Sequence, residues 1–165
     1  MEGSTLQRIQ VNSRPDEIPR GEKCMSASAS KYAVLVVDDS PVYRKLVEQV
    51  LFAESYSLLF ARNGEEALHM FEQHAPCIVI TDWMMPDISG PELCQRIRAD
   101  KTQPYTYIIL MTGNTEKGNV VKGLQAGADD YLTKPFDPGE MLARIGVGRR
   151  IVDLNRELAA KNEKL

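Results

Sequence analysis

A chain of 165 residues and 18.5 kDa has room for one ordinary domain with appendages, and 43 % apolar with 26 % charged residues excludes a wholly disordered polypeptide. A net charge of −3 argues against a general nucleic-acid coat or a polybasic membrane anchor. Cys24, Cys77 and Cys94 are widely spaced with no CxxC, which excludes a disulfide scaffold and a zinc module and points to a reducing cytoplasm; no apolar run reaches the ~18 residues of a membrane span.

Residues 1–30 carry four basic and four acidic side chains, two prolines and an alternating Ser-Ala run, with almost no apolar periodicity. Such a segment cannot bury enough surface to offset its ordering entropy and is predicted to be a mobile leader. From Tyr32 the pattern changes. Ala33 to Val37 is a short continuous apolar run, as in a strand covered on both faces. Ser40-Pro41 then reads as N-cap and N1 of a helix whose Leu46, Val47, Val50 and Leu51 share one side. The alternation repeats: a weaker strand over 56–61, then a helix after Asn63-Gly64 bearing Ala67, Leu68 and Phe71. Residues 77–81 form a buried strand ending at Asp82, and Ser89 with Glu92 has capping-box form before a helix carrying Leu93 and Ile97. Residues 107–111 make a fourth strand, followed by a helix marked by Val120, Val121 and Leu124. A short fifth strand spans 129–132, and Asp137-Pro138 opens the last helix. Five strands alternating with five helices predict a doubly wound α/β fold with a parallel sheet and helices on both faces.

In open sheets of this kind ligands sit beyond the carboxyl ends of the strands, so the residues after each apolar run carry the chemistry. These are Asp38 and Asp39, then Asp82, then Thr112 and Gly113, then Lys134-Pro135. Singly, each has a plain explanation: a solvated helix start, a turn acid, a cap, a surface ammonium. Together they place three carboxylates, a hydroxyl and an ammonium on one edge. Crowded carboxylates repel and raise one another's pKa, and a hard divalent cation with oxygen ligands relieves this, Mg²⁺ suiting a site of few carboxylates and several waters. Asp82 beside such a metal could attack a phosphoryl group in line, with Lys134 and Thr112 sharing the equatorial charge. The reaction class is phosphoryl transfer onto an aspartate.

The strings Val34 to Ser40, Ile78 to Gly90 (with Asp82-Trp83-Met84-Met85-Pro86), Ile108 to Gly113 and Ala126 to Phe136, in this order and spacing, resemble the receiver domain of two-component response regulators. The resemblance covers 31–148, most of the chain. It implies a (βα)5 flavodoxin-like three-layer sandwich with strand order 2-1-3-4-5. It makes Asp82 the phosphoacceptor and gives Mg²⁺ (Mn²⁺ as an alternative) to Asp39, Asp82 and the Met84 backbone carbonyl, with Asp38 holding it through water. Thr112 becomes a switch hydroxyl, Tyr131 the aromatic that turns inward with it, and Lys134 the partner of the phosphoryl oxygens. Trp83 and Gly113 contribute backbone to phosphoryl binding, and the Lys134-Pro135 bond is expected to be cis. The donor is a partner sensor histidine kinase or phosphotransfer protein. Met84, two residues beyond the phosphoacceptor, cannot orient water as an amide would, which predicts a long-lived phosphoryl group.

The last helix continues beyond 148 as a helical extension over 149–165. Val147, Ile151, Leu154, Leu158, Lys161 and Leu165 follow steps of 4 and 3, a heptad-like stripe. Gly146 and Gly148 favour a frayed end instead, each costing about 1 kcal/mol in a helix. The stripe is expected to form a homodimer or a coiled-coil linker to an output domain, as in receivers joined to cyclase, phosphodiesterase, phosphatase or kinase domains. Nothing resembles a helix-turn-helix reader, so DNA binding by these residues is not expected. His69 and His74 are expected at the surface, Cys77 and Cys94 as buried thiols without catalytic partners. Two other classes remain open at this stage: a Mg²⁺-dependent phosphohydrolase turning over small phosphoesters, and a receiver-like scaffold that never takes phosphate.

Overall fold

The computed structural model describes residues 32–113 and 117–163; the leader expected over 1–30 lies outside them. Ten elements alternate along the chain. They are β1 (Tyr32–Val37), α1 (Pro41–Leu51), β2 (Tyr56–Ala61), α2 (Gly64–His74), β3 (Ile78–Asp82), α3 (Gly90–Ala99), β4 (Tyr107–Thr112), α4 (Lys117–Gln125), β5 (Asp130–Thr133) and α5 (Pro138–Glu163). The strands pair in parallel in the order β2-β1-β3-β4-β5. This is the doubly wound parallel sheet that the alternation predicts, in the flavodoxin-like order that the resemblance implies.

Alternation along the strands splits the core into two layers. Val34, Val36, Ile78, Ile80, Ile109 and Met111 pack on one face with Val47 and Leu51 of α1 and Met141, Ile145 and Val152 of α5. Leu35, Val37, Val79, Ile108 and Leu110 face the other way, onto Phe71 of α2, Leu93, Cys94 and Ile97 of α3, and Ala126. Burial on both faces is why the strands read as unbroken apolar runs instead of alternating ones. Both described cysteines are buried, and burial pushes the Cys94 thiol up to about 12. His69 and His74 are exposed.

Several local details differ from the sequence pattern. Ser40 occupies the N-cap of α1 in extended conformation, but its side chain makes no capping bond; its backbone N–H donates to Asp38 Oδ1 at 2.9 Å. Ser89 caps α3 by accepting from the Glu92 N–H, whereas the Glu92 carboxylate pairs with Arg96 at 2.8 Å instead of reaching back. The fifth strand starts one residue later than expected because Asp129 serves as a junction at the foot of the sheet. Its carboxylate accepts from Ile108 N–H, the Arg98 guanidinium and the Tyr105 hydroxyl, while its own N–H donates to Ile108 O.

Helix α5 runs without a break through Gly146 and Gly148 for 26 residues, about 39 Å. A Cβ on Gly148 would meet the Tyr107 ring at 2.5 Å, so the bare glycine lets the helix lie close against β4. Its inward face is Met141, Ile145, Gly148 and Val152, all buried. The stripe singled out in the sequence, apart from Leu165, which lies outside the described residues, runs beside that face: Ile151 packs at the core margin, while Leu154 and Leu158 are each 60 % exposed. Beyond residue 148 the helix remains fastened to β1, because the Tyr32 hydroxyl donates to Asp153 and the Arg149 and Arg156 guanidiniums flank the Tyr32 ring at 5.6 and 5.5 Å. No described helix is long and apolar enough to cross a membrane.

Replacing Asp129 with alanine leaves the Tyr105 hydroxyl and the Ile108 N–H without their acceptor and removes the counter-charge of Arg98, which keeps only the Gly127 and Thr106 carbonyls. Asp129→Ala is expected to cost about 3 kcal/mol in urea unfolding, with the strand-end acids unaffected; a midpoint equal to wild type contradicts the junction.

Candidate functional site

The carboxyl ends of β1, β3, β4 and β5 meet at one edge, set by the register Val37–Thr81, Asp82–Met111 and Thr112–Thr133. One carboxylate oxygen from each of Asp38, Asp39 and Asp82 lies within 4.8 Å of the other two. Asp38 is fully buried, Asp82 half-buried and Asp39 exposed, so the cluster opens to water through Asp39. Lys134 Nζ sits 2.7 Å from Asp38 Oδ2 and 3.2 Å from Asp82 Oδ1. The Lys134 backbone N–H donates to Thr112 O at 2.8 Å, which ties the lysine to the strand that carries the buried Thr112. Lys134-Pro135 is cis, as the resemblance implied.

The charges follow from this packing. Burial and the neighbouring Asp38 raise the Asp82 pKa, against the opposing pull of the Lys134 ammonium. Burial alone would depress Lys134, but its bonds to Asp38 and Asp82 outweigh this and hold it above the ordinary lysine value. One ammonium against three carboxylates leaves the cluster short of positive charge. Three hard oxygen donors at this spacing fit a hard divalent cation such as Mg²⁺ better than a soft one.

Other residues singled out in the sequence take supporting places. Trp83 donates its backbone N–H to Met111 O at 2.8 Å, and its ring lies where a Cβ on Gly123 of α4 would come within 2.9 Å. Met84 is 77 % exposed. Gly113 is exposed at the end of β4. Tyr131 is half-buried against the core with the Arg144 guanidinium 5.7 Å from its ring centroid, and Arg144 also binds both oxygens of Asp130.

Three further residues escaped the sequence pattern. Arg44, one turn into α1, donates to the Asp38 carbonyl at 2.6 Å. Tyr43 places its ring centroid 3.9 Å from Lys134 Nζ. Asp87 spans from the β3–α3 loop to the start of α2, accepting from Gly64 N–H at 3.0 Å and Glu65 N–H at 2.8 Å. Beside it Ile88 fills the notch left by Gly64, whose absent Cβ would lie 2.1 Å from Ile88 Cγ1. The available signal for Asp87 was its position opposite a helix start rich in free N–H groups, a long-range pairing that spacing along the chain does not reveal.

A family model described as response regulator receiver domain matches residues 34–146. The phosphate regulon transcriptional regulatory protein PhoB of Pseudomonas aeruginosa is 38 % identical over 112 residues, 68 % of this chain and 49 % of PhoB. A DrrB receiver domain in its BeF3-activated form superposes with TM-score 0.66 at 35 % identity, covering 72 % of this chain and 97 % of that one. The chemotaxis response regulator CheY4 of Vibrio cholerae gives 0.68 at 29 %, covering 72 % and 99 %. This chain spans about half the length of the curated relatives it matches.

The Asp87 clasp has its own signature. Desolvation opposes ionisation, but the N–H bonds from Glu65, Gly64 and Ile88 together outweigh it, so the carboxyl lies below the ordinary aspartate value. A depressed pKa gives stabilisation that is present above the unfolded value and lost as pH falls through the folded one. Asp87→Ala is expected to cost about 1 kcal/mol, as for loss of a helix cap, and to speed amide exchange at Gly64 and Glu65. Wild type should show the same faster exchange only below the usual carboxylate range; unaltered exchange in the variant counts against the clasp.

Proposed function

We propose that this chain, which belongs to the response regulator receiver family, accepts a phosphoryl group on Asp82 from a phosphohistidine of a sensor kinase or phosphotransfer partner. The observation that carries this is the convergence of Asp38, Asp39, Asp82 and Lys134 at one strand edge. A carboxylate oxygen of Asp82 attacks phosphorus, the N–P bond breaks, and the imidazole nitrogen keeps the electron pair; the product is an acyl phosphate. Lys134, already poised on Asp82 Oδ1, exchanges that contact for a phosphoryl oxygen. The buried Thr112 hydroxyl lies on the strand next to Asp82 and is proposed to turn toward the phosphoryl group, with Tyr131 following it inward. The Trp83 and Gly113 backbone groups are proposed to donate to the same oxygens.

Asp39, Asp82 and the Met84 carbonyl are the groups proposed to hold Mg²⁺, with Asp38 behind them. The bound cation supplies charge neutralisation for the attacking and transferring oxygens. The signal is proposed to leave through α5, whose exposed Leu154 and Leu158 suit a second copy of the helix or the helix of a following output domain. The relatives carry the names of transcriptional regulators and this chain spans about half their length, matching the receiver model over residues 34–146, so the proposed role of these residues is the input switch.

Incubation with Mg²⁺ and a small acyl-phosphate donor is expected to label about one site per chain and then stop, and Asp82→Asn is expected to take no label. Sustained turnover of a generic phosphoester would instead support a hydrolase, and absence of label in wild type a scaffold. Titrating Mg²⁺ should change Trp83 emission, and Asp39→Asn should need more metal for the same change; an identical titration in the variant removes Asp39 from the metal set.

Hydrolysis of the product gives a separate check. Met84 offers the attacking water no hydrogen bond, so Met84→Asn is expected to shorten the acyl-phosphate lifetime severalfold. Equal or slower loss in the variant refutes the role given to this position.

A further inference from the structure

We propose that Tyr43 is a positioning residue for Lys134, holding the ammonium at the acid cluster through the face of its ring. The inference rests on the reading of Asp82 as phosphoacceptor and adds to it a residue that the strand-end pattern does not contain. Lysine is a flexible four-carbon stem with substantial rotamer entropy, so its head stays in one place only when its surroundings hold it there. Here two directions are taken by Asp38 Oδ2 and Asp82 Oδ1. A third is the Tyr43 ring, whose centroid is 3.9 Å from Nζ, well inside the ~6 Å reach of a cation–π contact. The Lys134 side chain is only 12 % exposed. The ring covers the flank facing α1, where the lysine would otherwise swing into water.

Tyr43 is itself held in place. It lies in the first turn of α1, opened by Pro41, and its ring meets that of Phe136 at 6.3 Å with a 51° tilt. Phe136 follows Lys134 by two residues, so one short segment supplies both the ammonium and the ring that buttresses its aromatic partner. A cleft of about 380 Å³ lined by Tyr43, Leu46, Val50, Pro135 and Phe136 opens beside them, so what holds the Tyr43 ring is Phe136 on one side and the ammonium on the other.

The contact matters most during transfer. When Asp82 becomes an acyl phosphate, Lys134 must leave a carboxylate oxygen and find a phosphoryl oxygen. Asp38 and the Tyr43 face are the contacts that persist through that exchange. The hydroxyl of Tyr43 has no part in this, so phenylalanine should serve as well and an aliphatic side chain of similar bulk should not.

The test uses the full chain as wild type, Tyr43→Phe and Tyr43→Leu. In metal-free protein, the Lys134 ε-methylene proton resonances should be shifted upfield by the ring in wild type and Tyr43→Phe, and return to the ordinary lysine position in Tyr43→Leu. With a saturating small acyl-phosphate donor and Mg²⁺, the maximal labelling rate should fall about fivefold in Tyr43→Leu and stay near wild type in Tyr43→Phe. The Mg²⁺ concentration giving half the Trp83 response should be the same in all three. The proposal is overturned by an unshifted Lys134 signal in wild type, by wild-type labelling in Tyr43→Leu, or by an equal loss in Tyr43→Phe. Failure of the phosphoacceptor reading looks different: wild type takes no label, while the Lys134 signal still reports whether the ring holds the ammonium.

Discussion

Asp38 is a fully buried carboxylate, and the edge of the sheet is organised around making that tolerable. Taking an ionised acid out of water costs several kcal/mol unless its oxygens are met by charge and hydrogen bonds. Lys134 meets Oδ2 and the Ser40 N–H meets Oδ1, while Arg44 binds the carbonyl of the same residue. Among the described residues, no buried side-chain nitrogen or oxygen lacks a hydrogen-bond partner. Yet the lysine that satisfies Asp38 is shared with Asp82, and Asp39 adds a third negative charge nearby. The fold therefore retains an unrelieved repulsion at one place, where a divalent cation or a change in the chemistry of Asp82 alters the balance most.

Close backbone approach is what lets the loop after β3 serve that place. A Cβ on Gly90 would come within 2.3 Å of the Asp82 carbonyl, so α3 begins pressed against the end of the strand, and the Gly90 N–H donates to Trp83 O. At the far side of the loop, Ile88 and Asp87 are seated on the start of α2. Met84 lies between these two anchorages, with its side chain in water. The loop is thus pinned at both ends by contacts that require glycine at 64 and 90, with the exposed Met84 between them.

The fold was legible because burial on both faces of a parallel sheet writes itself as separated apolar runs, and the strand order follows from the family resemblance those runs carry. The acids and the lysine were legible for the same reason, since each sits immediately after such a run. Tyr43, Arg44 and Asp87 were not. Tyr43 and Asp87 act across contacts with elements distant in sequence, Arg44 folds back one turn onto the Asp38 carbonyl, and in the sequence each looks like an ordinary helix or loop residue. The α5 face that the heptad steps did not mark is the one buried on the domain: Met141, Ile145, Gly148 and Val152 pack inward, while Val147, Leu154 and Leu158 of the stripe stay exposed. Gly148, which argues for a frayed helix by propensity, is instead the point of closest approach to Tyr107. Propensity prices the helix alone, whereas tertiary packing supplies most of its stability.

That same helix links the acid edge to the distant end of the molecule. Arg144 of α5 holds Asp130 with two bonds and lies over the ring of Tyr131, the neighbouring residue of β5. In the proposed switch Tyr131 turns inward beside Thr112, and its ring then leaves the Arg144 guanidinium while the Asp130 bonds remain. The helix is not released by this; its first turns keep the Asp130 bonds and the buried Met141 and Ile145, and Tyr32–Asp153 holds two turns beyond Gly146. A ligand or modification shifts an equilibrium only by its differential contact with the two states. The contact that differs here is an aromatic–guanidinium pair worth on the order of 1 kcal/mol. A bias of that size does not unfold or detach α5, whose Leu154 and Leu158 are exposed already; in the proposed switch it alters only how firmly the start of the helix is held beside β5.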